Sequence, residues 1–168
     1  AVTEVHIGGG LHPDLPFDYY VDLLRGLKQR FPSVHLKAFT AVEIGYYSHL
    51  THLPIREILV RLKDAGLGSL PGGGAEIFAP EVRRIICDHK IGAYTWLKIH
   101  RTAHELGLHS NATMLYGHIE SAEDRVDHLL QLRGLQDETH GFLTFIPQAF
   151  HTPNTELGKL VAHHETTG

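Results

Sequence analysis

The chain has 168 residues, of which 42% are hydrophobic, with 15 basic and 19 acidic side chains for a formal charge of −4, and one cysteine. That is the length and composition of one globular domain, and a negative balance without any basic block argues against a general nucleic-acid binder. A lone Cys87 excludes a disulfide framework, a Cys-based zinc site and a complete iron–sulfur ligand set within these residues. Every apolar run is interrupted by Arg, Lys, Asp or His before it reaches membrane length, and no signal-peptide pattern is present. The start at Ala1 and the end at Thr166-Thr167-Gly168 read as cuts in a longer chain.

Five short β-like runs alternate with helical patterns. The first, Glu4–Ile7, is followed by Phe17–Phe31, where Tyr20, Leu23, Leu24, Leu27 and Phe31 recur at helical spacing between Pro16 and Pro32. A second strand is expected at Val34–Phe39, with a short turn of helix after Thr40. Pro54–Ala65 then aligns Ile55, Ile58, Leu59 and Leu62, and Gly66 can close that helix. Ser69–Leu70 with its run-in gives a third strand, and a further helix is expected from Pro80 to Ile86. Tyr94–Leu106 carries Trp96, Ile99, Ala103 and Leu106 on one stripe and stops at Gly107. Asn111–Leu115 is the fourth strand. Ser121-Ala122-Glu123-Asp124 forms a capping-box pattern opening a helix expected to bury Val126, Leu129 and Leu130. Phe142–Ile146 is the fifth strand.

Strand and helix alternating every 30 to 45 residues or so is the βα unit of a parallel sheet. Two architectures use it, the open doubly wound sheet and the closed (β/α)8 barrel. A full barrel needs roughly 250 residues, so about five strands make either a small open sheet or a slice of a barrel, and the cut ends favour the slice. An open parallel sheet with two unpaired edges is also expected to associate.

In both architectures sites gather at the carboxyl ends of the strands. Those positions hold Gly8-Gly9-Gly10-Leu11-His12-Pro13, then Thr40 and Glu43, then Pro71-Gly72-Gly73-Gly74-Ala75-Glu76, then Tyr116-Gly117-His118-Ile119-Glu120, and last Gln148, His151 and Asn154. Glycines there let backbone amides approach a ligand, although they also serve plain tight turns. Two triplets, each followed by His or Glu, favour a ligand. Neither is a Walker loop, since no Gly-Lys-Ser/Thr follows, and a proline-containing loop after Gly10 excludes the Rossmann fingerprint.

Fifteen histidines raise the question of a metal. His100 and His104 lie one helical turn apart, which can grip zinc, but Arg101 stands where a zincin has its catalytic Glu, and the helix is an outer one. A solvated or half-buried helix face is the expected reading, and His163-His164 in the tail carry less weight. His12, His118 and His151 fall at strand ends and can serve either packing or hydrogen bonding to a carboxylate or ribose. Cys87, at a helix C-terminus where the dipole raises a thiol pKa, is expected to be structural.

Several stretches resemble one group of radical S-adenosylmethionine (SAM) enzymes, the group of aminofutalosine synthases, dehypoxanthine futalosine cyclases and deazaflavin-chromophore synthases. They are Val5 to Pro16, His35 to Ile44, Leu70 to Phe78, Asn111 to Glu120, and Leu135-Gln136-Asp137-Glu138-Thr139. Within the group, Lys37-Ala38-Phe39-Thr40-Ala41-Val42-Glu43, the Ile86-Cys87-Asp88 step and Thr113-Met114-Leu115-Tyr116-Gly117-His118 are most similar to the aminofutalosine synthases of menaquinone biosynthesis.

The resemblance implies a partial TIM-type radical SAM barrel of which residues 1–168 are the middle portion, with the cluster-binding CxxxCxxC motif upstream of this chain. It implies a SAM site of Gly9, Gly10, Thr40, Glu43, Glu76, Thr113, Gly117 and Glu120. Gly9-Gly10 is similar to the glycine motif that receives the SAM amino group, with Gly8 in place of the usual Val. Thr113 to Glu120 resembles a GxIxGxxE motif, with Thr113 replacing the first glycine. Glu76 and Glu120 are candidates for ribose hydroxyls or for fixing backbone, and His12, Tyr116, His118 and His151 for the substrate. Further implications are a [4Fe–4S] cluster with outside ligands, a small-molecule substrate, an electron donor such as flavodoxin or ferredoxin, no nucleic acid or membrane partner, and a cytoplasmic setting. A sibling activity, or an inert cluster-free fragment, are the competing expectations.

Overall fold

The computed structural model describes residues 2–161, so His163 and His164 lie outside the described residues. The elements in chain order are β1 (Glu4–Ile7), α1 (Phe17–Arg30), β2 (His35–Ala38), α2 (Ala41–Thr51), α3 (Ile55–Asp64) and β3 (Ser69–Leu70). They continue with α4 (Pro80–Ile86), α5 (Ala93–Glu105), β4 (His109–Tyr116), α6 (Ala122–Thr139), β5 (Phe142–Ala149) and α7 (Glu156–Leu160).

All five strands are parallel and pair in the order β1-β2-β3-β4-β5. A doubly wound sheet must break sequential order at a switch point. Here each strand pairs with its sequence neighbour, which is the order of a βα barrel. The expected slice is therefore observed.

Strand alternation decides what each face does. Leu36, Ala38, Leu70 and Ala112 enter one core with Tyr20, Leu24, Ile44, Tyr47, Ile58, Leu59, Leu62, Trp96, Ile99 and Ala103 of the helices, and Ile7 packs against it. The intervening residues Glu4, His6, His35, Lys37 and Ser69 therefore face the other side, the lumen. They meet there: Lys37 Nζ lies 3.1 Å from Glu4 Oε1, and His35 Nε2 is 2.7 Å from Ser69 Oγ.

Several expectations are corrected. Val126, Leu129 and Leu130 of α6 are exposed, and His128, Leu132 and Leu135 are buried instead. The Ser121–Asp124 capping box forms as expected. The phase of the helix is set by His128, which stacks on Phe78 at 4.0 Å between centroids and lies 2.9 Å from the Thr113 carbonyl through Nε2. The element after Thr40 is not a short turn but the eleven-residue α2, flanked on two sides, whose all-round apolar residues hide its periodicity. Phe31 caps α1 and is exposed.

His100 is not solvated or half-buried but wholly buried. Its Nδ1 and His104 Nε2 both sit 2.8 Å from Ser110 Oγ, and His104 Nδ1 is 2.7 Å from Thr139 Oγ1. The pair joins α5 to β4 and α6. Among the described residues no group of three His, Cys, Asp or Glu side chains could hold a metal ion.

The sheet's outer strands remain open. β1 is exposed over Glu4–His6 and β5 over Leu143–Gln148, and α6 and β5 flank an apolar groove containing Leu129, Leu132, Phe142, Leu143 and Phe145. Unpaired strand edges beside apolar surface template association. The 168-residue chain alone should therefore self-associate in size-exclusion chromatography with light scattering; a monodisperse monomer at the same concentration is the contrary result.

Burial holds the His100 pKa well below its ordinary value and pushes those of His104 and His128 down to about 4. The folded state thus prefers neutral rings, while the unfolded chain takes up protons below about pH 6.5. Stability from these rings is complete above about pH 6.5 and is lost as pH falls towards 4. The urea midpoint should fall across that window, and His128→Leu should flatten the fall; an unchanged slope in the variant contradicts it.

Candidate functional site

The carboxyl ends of β1 and β2 are joined by one carboxylate. Glu43, on the first turn of α2, accepts the Gly9 amide at 2.6 Å through Oε1, and the Thr40 amide at 2.7 Å and hydroxyl at 2.9 Å through Oε2. Thr40 is the N-cap of α2, and its hydroxyl accepts from the Glu43 amide, completing a capping box. Gly9 is closely packed, since a Cβ there would lie 3.0 Å from the Tyr20 ring and 3.2 Å from Glu43 and would have to displace them. Gly8 and Gly10 face open space where a side chain would project, and Gly10 has φ +66°. An anchored Gly9 thus carries an open backbone segment, a cradle that a ligand amino or carboxylate group can approach.

The second triplet is tied by all three of its carbonyls. Thr113 donates its hydroxyl to Gly72 O at 2.7 Å, Trp96 its indole N–H to Gly73 O at 3.2 Å, and Arg83 to Gly74 O at 3.3 Å. Arg83, 5% exposed, also donates to the carbonyls of Ala75 and Ile77. A Cβ on Gly72 would lie 2.8 Å from the Asn111 carbonyl oxygen, and Gly74 has φ +85°. Glu76 follows in a left-handed conformation at φ 46°, pairs with Lys90 at 2.8 Å, and accepts the Leu115 amide on its carbonyl at 2.8 Å.

Beyond β4, Glu120 is fully enclosed. It accepts the Gly117 amide at 2.5 Å, the His118 amide at 2.8 Å and Arg125 Nε at 2.7 Å. Burial works to raise its pKa, but the amide hydrogen bonds of Gly117 and His118 outweigh it and hold the carboxyl below its ordinary value. Burial lowers the His118 pKa, favouring a neutral ring that donates from Nε2 to Leu115 O at 3.2 Å and accepts the Ile119 amide on Nδ1 at 2.8 Å. Glu120 Oε2 lies 3.0 Å from the same Nδ1, an ion pair only if the ring takes a second proton, which burial opposes.

Of the sequence-derived candidates, Gly9, Thr40 and Glu43 are thus brought into one contact set, as are Gly117, His118 and Glu120. Thr113 is joined to the Gly72 loop. His12 is exposed in the loop after Gly10, its carbonyl accepting the Tyr46 hydroxyl at 3.0 Å. Tyr116 is half-buried beneath the Arg125 guanidinium, and His151 is exposed beyond β5. Arg83 is a residue that sequence reasoning missed, since Arg83-Arg84 in a helix reads as a solvated pair. The lumen residues Glu4, His6, His35 and Lys37 were missed as well. Their signal was charge alternating with Val, Ile, Leu and Ala in strands that a parallel sheet normally makes apolar on both faces.

Cys87 is buried and its thiol pKa is raised, first by that burial. With no other cysteine and no three-residue ligand group among the described residues, this part of the molecule does not fit an iron–sulfur cluster.

Arg83→Leu leaves buried carbonyls without donors and should lower stability by about 3 kcal/mol or more in urea unfolding. Arg84→Leu, which loses only an exposed pair with Glu81, should change it by no more than about 0.5 kcal/mol. Equal losses contradict the assignment.

The model of the radical SAM superfamily matches residues 1–132. The chain is 56% identical over 168 residues to an aminodeoxyfutalosine synthase of Thermus thermophilus, covering 99% of this chain and 45% of that protein. It is 56% identical over 146 residues to an aminodeoxyfutalosine synthase of Streptomyces coelicolor, 87% of this chain and 38% of the relative. Identity is 44% over 155 residues to a 5-amino-6-(D-ribitylamino)uracil–L-tyrosine 4-hydroxyphenyl transferase of Methanopyrus kandleri, 92% of this chain and 42% of that one. The chain therefore spans less than half the length of these relatives. The sequential parallel order of its strands, the glycine-rich strand ends and the family match over most of its length agree, and the chain belongs to the radical SAM superfamily.

Proposed function

We propose that these residues are the SAM-holding central arc of an aminodeoxyfutalosine synthase. The protein would join the 5′-deoxyadenosyl group of SAM to the enolpyruvyl carbon of 3-[(1-carboxyvinyl)oxy]benzoate and, with rearrangement and loss of carbon dioxide, form aminodeoxyfutalosine for menaquinone biosynthesis. The observation that carries it is 56% identity over 99% of the chain to a synthase of that name, against 44% to a 4-hydroxyphenyl transferase.

A [4Fe–4S] cluster supplies the electron for SAM cleavage in this chemistry. In this reading it is held by a part of the protein outside these residues and served by flavodoxin or ferredoxin in the cytoplasm. Residues 1–168 form the middle of the barrel, and the open edges of β1 and β5 with the α6–β5 groove are what the flanking portions cover.

The chain's own residues bind, orient and exclude water. Gly9 and Gly10 receive the amino group of SAM, and Glu43 and Thr40 act on it by fixing the Gly9 amide. Thr113, Glu76 and the Gly117–Glu120 turn shape the nucleoside end, Glu120 and His118 by holding backbone in place. His12, Tyr116 and His151 remain free to meet polar groups of the substrate. The fit is supported by the open space at Gly8 and Gly10 beside an anchored Gly9.

The test is anaerobic turnover of the whole protein with SAM, a reductant and 3-[(1-carboxyvinyl)oxy]benzoate, read by mass spectrometry. Aminodeoxyfutalosine with one SAM consumed per product is expected. Product only from tyrosine and 5-amino-6-(D-ribitylamino)uracil would assign the transferase activity instead.

A further inference from the structure

Barrel lumens are ordinarily filled by layers of branched apolar side chains. The lumen face of this arc is instead charged and polar over its first two strands, with Glu4 and His6 on β1 and His35 and Lys37 on β2, continued by Ser69 on β3. Lysine is almost never buried unless paired, and Lys37, 8% exposed, is paired only with a half-exposed carboxylate, Glu4. Its ammonium has three donors and makes one hydrogen bond among the described residues, to Glu4. That carboxylate is shared, since it also bonds His6, and its second oxygen lies 3.9 Å from His35 Nε2.

A second polar group faces the same side. Ser110 and Ala112 of β4 meet the helices, so Asn111 between them faces the lumen, on the side of Lys37 that leads to the strand ends. Asn111 is 8% exposed and its Oδ1 has no hydrogen-bond partner. A buried amide oxygen without a donor is costly and marks a place where a ligand donor or a water is to be met.

The other cations near the strand ends are committed. Arg83 is bonded to loop carbonyls, Arg125 to Glu120, and Lys90 to Glu76, a carboxylate that, unlike Glu4, has no second side-chain partner among the described residues. We propose that Lys37 binds a carboxylate of the substrate inside the barrel, with Asn111 meeting a polar group between that carboxylate and the glycine-rich mouth. The inference rests on the functional reading above and adds to it the residue that recognises the anionic end of an aryl dicarboxylate. A substrate of that class needs a cationic partner in a water-poor lumen, and Lys37 supplies it on a strand, where its position is fixed by packing of Leu36 and Ala38 beneath it.

The whole protein carrying Lys37→Gln or Glu4→Gln is compared with the parent. Lys37→Gln should raise KM for the diacid about tenfold or more, the loss of one charge-assisted contact, while SAM affinity by equilibrium dialysis stays unchanged. Glu4→Gln, which removes the competing carboxylate, should lower KM. Of the two monomethyl esters of the substrate, one should show the raised KM with the parent protein and no further rise with Lys37→Gln. If the pair is only structural, the two variants raise KM alike, for diacid and esters equally, and the proposal is overturned; an unchanged KM in Lys37→Gln overturns it too. Should Lys37→Gln not fold by circular dichroism, Lys37→Arg carries the test: it must keep KM within about threefold, a residual cost expected from its altered reach, and a folded Lys37→Arg that loses diacid affinity about tenfold removes the assignment. Failure of the parent protein to turn over the diacid sinks the functional reading itself, and this inference with it.

Discussion

Where β1 and β2 end, the amides of Gly9 and Thr40 leave the sheet, and both are accepted by the single carboxylate of Glu43. Backbone groups that leave a parallel ladder must find partners, and one carboxylate on the first turn of α2 supplies both. The same solution recurs along the arc. Arg83 serves the carbonyls of Gly74, Ala75 and Ile77 after β3, and Glu120 the amides of Gly117 and His118 after β4. Each tie is a charged side chain on a neighbouring helix or turn reaching back to the strand end. These ties fasten the loops that shape the mouth to the core beneath them, which is what positioning a reactive group demands.

That arrangement also separates two kinds of polar residue at the mouth. Glu43, Thr113, His118 and Glu120 are consumed by contacts within the protein, so their chemistry is to hold backbone. Gly8, Gly10, His12 and His151 make few such contacts and face outward. Part of the backbone strain lies in the same band. Phe39 and Glu76, both left-handed at φ 59° and 46°, directly follow or lie close behind the second and third strands. For a bulky residue such as Phe39 that conformation is costly. It is stabilised by edge-on contacts of its ring with Tyr20 and Tyr47, at 5.7 and 5.6 Å between centroids.

The strand–helix alternation and the strand ends were legible because Gly, Pro and the N-cap residues announce turns through their own backbone chemistry. Sequential strand order, the property that distinguishes a barrel arc from a doubly wound sheet, leaves no local trace and came only from pairing. Helix α6 shows where periodicity misleads. Val126, Leu129 and Leu130 make a plausible stripe, but His128 stacks on Phe78 and bonds the Thr113 carbonyl, so the helix turns Leu132 and Leu135 inward. A histidine scored as polar was the core residue. His100 and His104 repeat the lesson, since both close on the Ser110 hydroxyl and His104 also on that of Thr139, which no spacing rule connects to them.

The lumen was legible in principle. Glu4-Val5-His6-Ile7 and His35-Leu36-Lys37-Ala38 alternate charge with apolar residues, the pattern of a strand wet on one face. A parallel strand covered by helices has its apolar set accounted for on the outside, so the charged set must line the inside. An inside that carries Lys37, two imidazoles and a shared carboxylate is a poor filler for a packed barrel core and a good lining for a polar ligand. The glycine-rich mouth and the charged floor thus lie on the same concave face. In the reading proposed above, the first would accommodate SAM through backbone and the second an anionic partner through side chains, and the two adjoin, since Lys37 is the last lumen-facing residue of β2 before Thr40.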